Sequence, residues 1–255
     1  MWVLTAELLL VAHAAAAQMQ PHRAEYTLRL GAAANAPRIG TATQDLSLDC
    51  KGWHLKRDVK GEVPISTSLK FSVASTLDSD EQRSGDVLHY RSMQVQNGAE
   101  REVRGTVKRA ESGLRAEIVS PEGTAQALLP APTLMPVASI NHIIDKLRSG
   151  STAFPTLTFD AQVIGDAFRI DIAQVDAGTI RHRPPADKPI TVPGKSWPVR
   201  MSFWRVGDAQ RKPMVAFSAR LFESGVLDHV TVDADMVTVT ADVQALELRP
   251  VPNCR

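Results

Sequence analysis

The 255-residue chain carries 29 Lys and Arg against 28 Asp and Glu, so it offers no net field to a polyanion or an anionic membrane surface. Hydrophobic residues at 44% and charged residues at 22% suit a globular chain with a sizeable core and argue against disorder. All-β barrels and sandwiches reach about 200–250 residues as one domain, so the length asks for no second one.

At the N-terminus, Leu8-Leu9-Leu10-Val11-Ala12 leads into Ala14–Ala17, an apolar stretch followed by small residues suited to a signal peptidase. Residues 1–18 are therefore expected to be a signal peptide cleaved near Ala17, with residues 19–255 forming one exported β-domain. Glu7 interrupts the run and no Lys or Arg precedes it, as if the true start lay upstream. No later stretch approaches the ~18–20 apolar residues of a membrane span, and too few aromatic residues are present for the girdles of an outer-membrane barrel.

Beyond residue 18 the hydrophobic pattern has a period of two, the signature of strands with one buried face. Tyr26, Leu28 and Leu30 alternate with polar neighbours, as do Leu46 and Leu48, then Leu69, Phe71 and Val73. Asn97-Gly98, Ser112-Gly113 and Pro121-Glu122-Gly123 punctuate the middle as hairpin turns. Gly165-Asp166 and Ser224-Gly225 repeat this grammar, and Val230, Val232, Ala234 and Met236 form one more alternating face before a last strand near Thr238–Leu248.

One segment departs from the rule. Ile140, Ile143, Ile144 and Leu147 share a helical face, with Ser139 as N-cap and Gly150 just past the end, predicting a short amphipathic helix over about 139–149. This stripe is the candidate lining of a groove in the curled sheet; core packing is the plainer account of it. Pro130–Pro136 and Arg183–Pro198 read as loops.

About a dozen strands in sequence cannot remain an open flat sheet. The expected fold is all-β: a single antiparallel meander curled into a broken cylinder, with one helix.

Cys50 and Cys254 lack any CxxC or Cys/His cluster, so no metal site is expected. In an oxidising compartment they would pair, closing the spiral; the alternative is two buried free thiols. The seven histidines have no paired spacing, and no GxSxG elbow, Walker loop or dinucleotide fingerprint occurs. Asp78, Asp80 and Glu81 lack calcium-loop spacing and read as a solvated turn, as the short basic runs Lys56-Arg57 and Arg181-His182-Arg183 read as solvated faces. No catalytic residue, cofactor or nucleic-acid partner is expected.

Several separated segments together resemble the cell-envelope integrity EipB family of alphaproteobacteria, long known as a domain of unknown function. They are His22-Arg23-Ala24-Glu25-Tyr26-Thr27-Leu28, Cys50-Lys51-Gly52-Trp53, Leu129–Pro136, Ser196-Trp197-Pro198-Val199, Leu221–Val226 and Pro252-Asn253-Cys254. The resemblance implies a periplasmic β-spiral with a Cys50–Cys254 disulfide and no enzymatic activity. It also implies a fold akin to lipoprotein carriers, and a tetratricopeptide-repeat partner in the periplasm. Two functions compete: a scaffold or protein-binding factor of the envelope, and a carrier holding a lipid or acyl chain inside the curled sheet.

Overall fold

Alternation of period two builds a single sheet. The computed structural model describes residues 19–64, 70–161, 167–181, 190–207, 212–234 and 237–254. The predicted signal segment, Leu69, Gly165-Asp166, Met236 and much of the 183–198 loop lie outside the described residues.

Eight strands come first: β1 (His22–Leu30), β2 (Arg38–Leu48), β3 (Gly52–Pro64), β4 (Lys70–Gln82), β5 (Val87–Gln96), β6 (Ala99–Ala110), β7 (Gly113–Ser120) and β8 (Gly123–Leu129). Helix α1 (Pro136–Arg148) follows. Six more complete the sheet: β9 (Ala153–Phe159), β10 (Ala167–Gln174), β11 (Ser196–Arg205), β12 (Val215–Phe222), β13 (Leu227–Ala234) and β14 (Val237–Leu248).

The strand order is β8-β7-β6-β5-β4-β3-β2-β1-β14-β13-β12-β11-β10-β9, antiparallel throughout. The chain therefore starts in the middle of its sheet, winds out to the edge at β8, crosses by α1 to the other edge at β9, and winds back until β14 pairs with β1. The sheet curls without closing into a barrel, because β8 and β9 do not pair.

Turn chemistry fixes the register. Asn97 (φ 49°) and Gly98 (φ 86°) take the left-handed conformations that a two-residue hairpin loop requires. Gly40 faces Gly61 across β2 and β3, and a Cβ on Gly40 would stand 2.0 Å from the Lys60 carbonyl oxygen, so only glycine permits that approach. Register shifts between Glu25 and Tyr26 on the β14 side, and between Ser218 and Arg220 on the β13 side, mark bulges that bend the curl.

The helix occupies the concave side. Val137, Ile143, Ile144 and Leu147 are buried in the main core with Trp53, Leu55, Leu88, Val107 and Leu114 from the sheet. Burying each of the large aliphatics contributes roughly 1.5–3 kcal/mol. Tyr90 on β5 meets Phe159 on β9 with ring centroids 5.5 Å apart, so aromatic packing spans the curl where backbone pairing does not.

Three expectations change. The helix spans Pro136–Arg148, and Met135, not Ser139, is its N-cap; proline at the first helical position starts it a turn early. Asp78, Asp80 and Glu81 lie within β4 rather than in a turn: the first two face solvent and Glu81 is buried. The Cys50–Cys254 disulfide is present, but it does not join the sheet's edges. It ties the segment after β14 to the β2–β3 turn, stapling the sheet near its middle.

Arg249 supports the staple, donating to both carboxylate oxygens of Asp45 at 2.5 and 3.0 Å. Its backbone N–H also reaches the Pro21 carbonyl oxygen at 2.8 Å. Because the bridge spans 204 residues, chain entropy assigns it up to about 5 kcal/mol. Cys254→Ser is expected to lower the unfolding free energy by about 3–5 kcal/mol in urea titration, with far-ultraviolet dichroism unchanged in the native state.

Candidate functional site

The curled sheet offers two surfaces, a concave side into which α1 packs and a solvent-facing side lined with charge. On the concave side, α1 begins against β4. Glu81 accepts the Val137 N–H at 2.7 Å and the Ala138 N–H at 2.8 Å, one with each carboxylate oxygen. It thereby supplies from another strand the cap that Met135 cannot provide. Burial overrides these two bonds and pushes the Glu81 carboxyl up to about 7.

The predicted stripe is used by this packing. Ile143, Ile144 and Leu147 are fully buried, and Ile140 packs half-buried against the same core. These four side chains face the sheet.

Away from the helix, polar side chains interrupt the apolar lining of the concave side. Arg57 donates to the Gln44 side-chain oxygen at 3.3 Å, and the Gln44 amide lies 3.3 Å from His22 Nε2. His22 Nδ1 sits 2.8 Å from the Gln20 carbonyl oxygen. Desolvation lowers the His22 pKa below the ordinary histidine value, favouring the neutral ring. Arg57, read from sequence as part of a solvated face, thus belongs to a half-buried polar chain.

A second buried polar group stands beside a smaller apolar cluster of Val192, Phe222, Val226 and Val243. Arg181 bonds Asp242 at 2.5 Å, and Asp228 accepts the Val243 N–H at 2.9 Å next to the β14 bulge. His229 occupies the β13 bulge with φ 53°, its Nε2 3.5 Å from Asp228 and its Nδ1 4.0 Å from Asp242. The group meets the Val243 N–H and pairs Arg181 with Asp242 where the ladder breaks, and it ties the stretch after β10 to β14. Arg181, read from sequence as part of a solvated face, has a side chain only 10% exposed there.

Near the disulfide, His54 lies between two carboxylates, with Nδ1 2.5 Å from Asp80 and Nε2 3.2 Å from Asp49. Asp80 first, and Asp49 after it, raise the His54 pKa. Asp49 also accepts the Lys51 and Gly52 N–H groups, which shape the turn carrying Cys50 and hold its carboxyl down at about 2. Among the described residues no group of three His, Cys, Asp or Glu side chains is placed to hold a metal ion, and no helix is long and apolar enough to cross a membrane.

The solvent-facing side of β1–β8 carries three adjoining hollows. One of about 520 Å³ lies among Arg23, Asp45, Lys56, Asp58, Asp78 and Arg91. The next, about 490 Å³, shares Asp78 and Arg91 and continues to Arg104, Thr106 and Glu117. The third, about 420 Å³, reaches β8 through His89, Lys108, Arg115 and Gln126. Exposed ion pairs such as Arg91–Glu102, 2.8 Å, run along it, and each adds little stability in water. Sequence reasoning missed Glu81 and this trough. Continued alternation through Leu77, Ser79 and Glu81 was the available signal for the former; no local signal marks the latter, since its residues come from eight strands.

A single antiparallel sheet, curled around its own crossover helix and left open along one seam, defines a barrel-like β-protein. The chain belongs to the EipB-like family, whose model matches residues 13–250. It is also similar in structure to a crystallised β-barrel-like protein of a domain of unknown function, DUF1849, from Brucella abortus. The TM-score is 0.74 at 16% identity, covering 91% of this chain and 99% of that one, a likeness of fold. Comparison with curated proteins gives no match.

The two raised groups act in the same direction on stability. Glu81 binds its proton more tightly folded than unfolded, so its contribution is greatest below about pH 4.5 and falls as pH rises toward 7. His54, also raised, contributes fully below its unfolded value and loses that contribution as pH passes its folded pKa. Glu81→Gln keeps an acceptor for the helix and is expected to remove up to about 3 kcal/mol of the pH dependence of unfolding free energy between pH 5 and 8. Glu81→Ala leaves both N–H groups unmet and should cost about 1–3 kcal/mol at about pH 5, a deficit that narrows as pH rises because the contribution of Glu81 itself falls away. Urea titrations of the three proteins across that range decide the matter.

Proposed function

We propose that this chain is an exported, non-enzymatic protein of the periplasm that supports the cell envelope by binding another protein through the solvent-facing side of its sheet. The observation that carries this reading is the occupation of the concave side: α1, Tyr90 and Phe159 pack into it at one end, and the Arg57–Gln44–His22 chain sets polar groups into the lining beyond them. A filled end and a polar interruption shorten the apolar lining open to an acyl chain, which gains from burial only against apolar surface, and this favours the exterior as the binding face.

The disulfide suits an oxidising compartment. Both ring nitrogens of His54 face carboxylates, leaving neither to accept a proton from a nucleophile. Family resemblance supplies a tetratricopeptide-repeat protein as the expected class of partner.

Native mass spectrometry of protein gently isolated from the periplasm tests the proposal. A complex with one other protein, no lipid adduct, and a mass two hydrogens below that of the reduced chain are expected. Stoichiometric lipid on the isolated chain, or a chain that stays alone after in-cell crosslinking, overturns it.

A further inference from the structure

The two edges of the sheet are treated differently. At β9, Pro155 has no N–H to offer, and the Leu134 segment runs alongside, its N–H donating to the Leu157 carbonyl oxygen at 2.8 Å while its carbonyl oxygen accepts the Phe159 N–H at 2.9 Å. That edge is occupied.

At β8 nothing corresponds. The register pairs Gly123 with Ser120, Ala125 with Ile118 and Ala127 with Ala116 across a two-residue turn. In an antiparallel hairpin these positions exchange hydrogen bonds with β7, so the N–H and C=O groups of Thr124, Gln126 and Leu128 point away from the sheet. The strand is uncharged and free of proline, and Leu128 is 60% exposed. Natural edges are ordinarily blunted by Lys, Pro, a bulge or a cover; β8 has none of these among the described residues.

A second feature stands beside this edge. Lys108 and Arg115 face each other across β6 and β7, one strand in from Leu128. Like charges directly opposite on a ladder repel, and neither side chain has an acidic partner among the described residues. With Arg115 next to Leu128 in register, a carboxylate on a strand added beyond β8 would neutralise the pair.

We propose that β8 is a strand-addition site for an extended segment of a partner protein, bound through the outward backbone groups of Thr124, Gln126 and Leu128. The segment carries an acidic side chain beside Leu128, toward Lys108 and Arg115, and apolar side chains on the opposite face, alongside the small Ala125 and Ala127. A second copy fits less well, because β8 is itself uncharged and, laid against β8, brings no carboxylate of its own strand to the cation pair. This inference rests on the protein-binding reading above and assigns the surface and partner chemistry.

The probe is a phage-displayed library of linear ten-residue peptides, selected on the full mature chain with its disulfide intact. Enriched peptides should alternate apolar and polar residues around an Asp or Glu, and a synthetic copy should slow hydrogen exchange at the Thr124, Gln126 and Leu128 amides. Gln126→Pro deletes an outward donor and leaves the β7 ladder whole, so it should weaken binding by roughly tenfold or more. A Lys108→Glu/Arg115→Glu variant should lose the preference for an acid.

Binding unchanged by Gln126→Pro, protection confined to other amides, or no enrichment overturns strand addition, as does sedimentation showing a dimer that Gln126→Pro abolishes. Dichroism and the urea midpoint of each variant separate lost binding from lost folding. If a periplasmic protein is retained equally by wild type and Gln126→Pro, protein binding stands and strand addition fails; if no protein associates in the cell, the broader reading fails whatever the peptides do.

Discussion

Pairing between β1 and β14, separated by nearly the whole chain, is the contact on which the rest of the sheet depends. Thirteen ladders link the fourteen strands, and every other one joins neighbours in sequence. Without this one, two separate meanders would each expose an additional edge. The ladder is also the one with the largest loop to close, a cost that grows only slowly with length but precedes any reward from the contact. The Cys50–Cys254 bridge and the Arg249–Asp45 pair both act on this region, holding the segment after β14 against β2 across the width of β1.

The same topology explains the helix. A chain that reaches one edge and must resume at the other needs a connection across the opening, and α1 makes it while turning its apolar stripe into the concave side. A helix start buried in that setting cannot be capped by water, and Glu81 does the task from β4. The carboxylate is held where its charged form is poorly solvated, so capping and desolvation pull its proton affinity in opposite directions, with desolvation the larger.

Strand content, turn positions and the existence of one helix were legible because each is written locally. Alternation marks the strands, Asn97-Gly98 marks a hairpin, and the spacing of Ile140, Ile143, Ile144 and Leu147 marks the helix. What could not be read depends on partners far away in sequence. Glu81 looks like a third solvated acid until the helix start comes to rest on it, and Arg57 looks like surface charge until Gln44 lies beside it. Nothing in Thr124–Leu128 announces that it ends the sheet, since an edge strand and an inner strand alternate alike. The cysteines were legible as a pair, but their position relative to the sheet's edges required the strand order.

Because the two termini of the β-domain meet side by side, with Arg249 bonded to Pro21, the chain is topologically a ring cut at an arbitrary seam. Joining its ends with a short linker and opening it at a different hairpin, such as Asn97-Gly98, would preserve the great majority of the ladders while changing which strands are made first. Such rearranged versions would show whether the order of synthesis, rather than the final architecture, sets the path by which this spiral assembles.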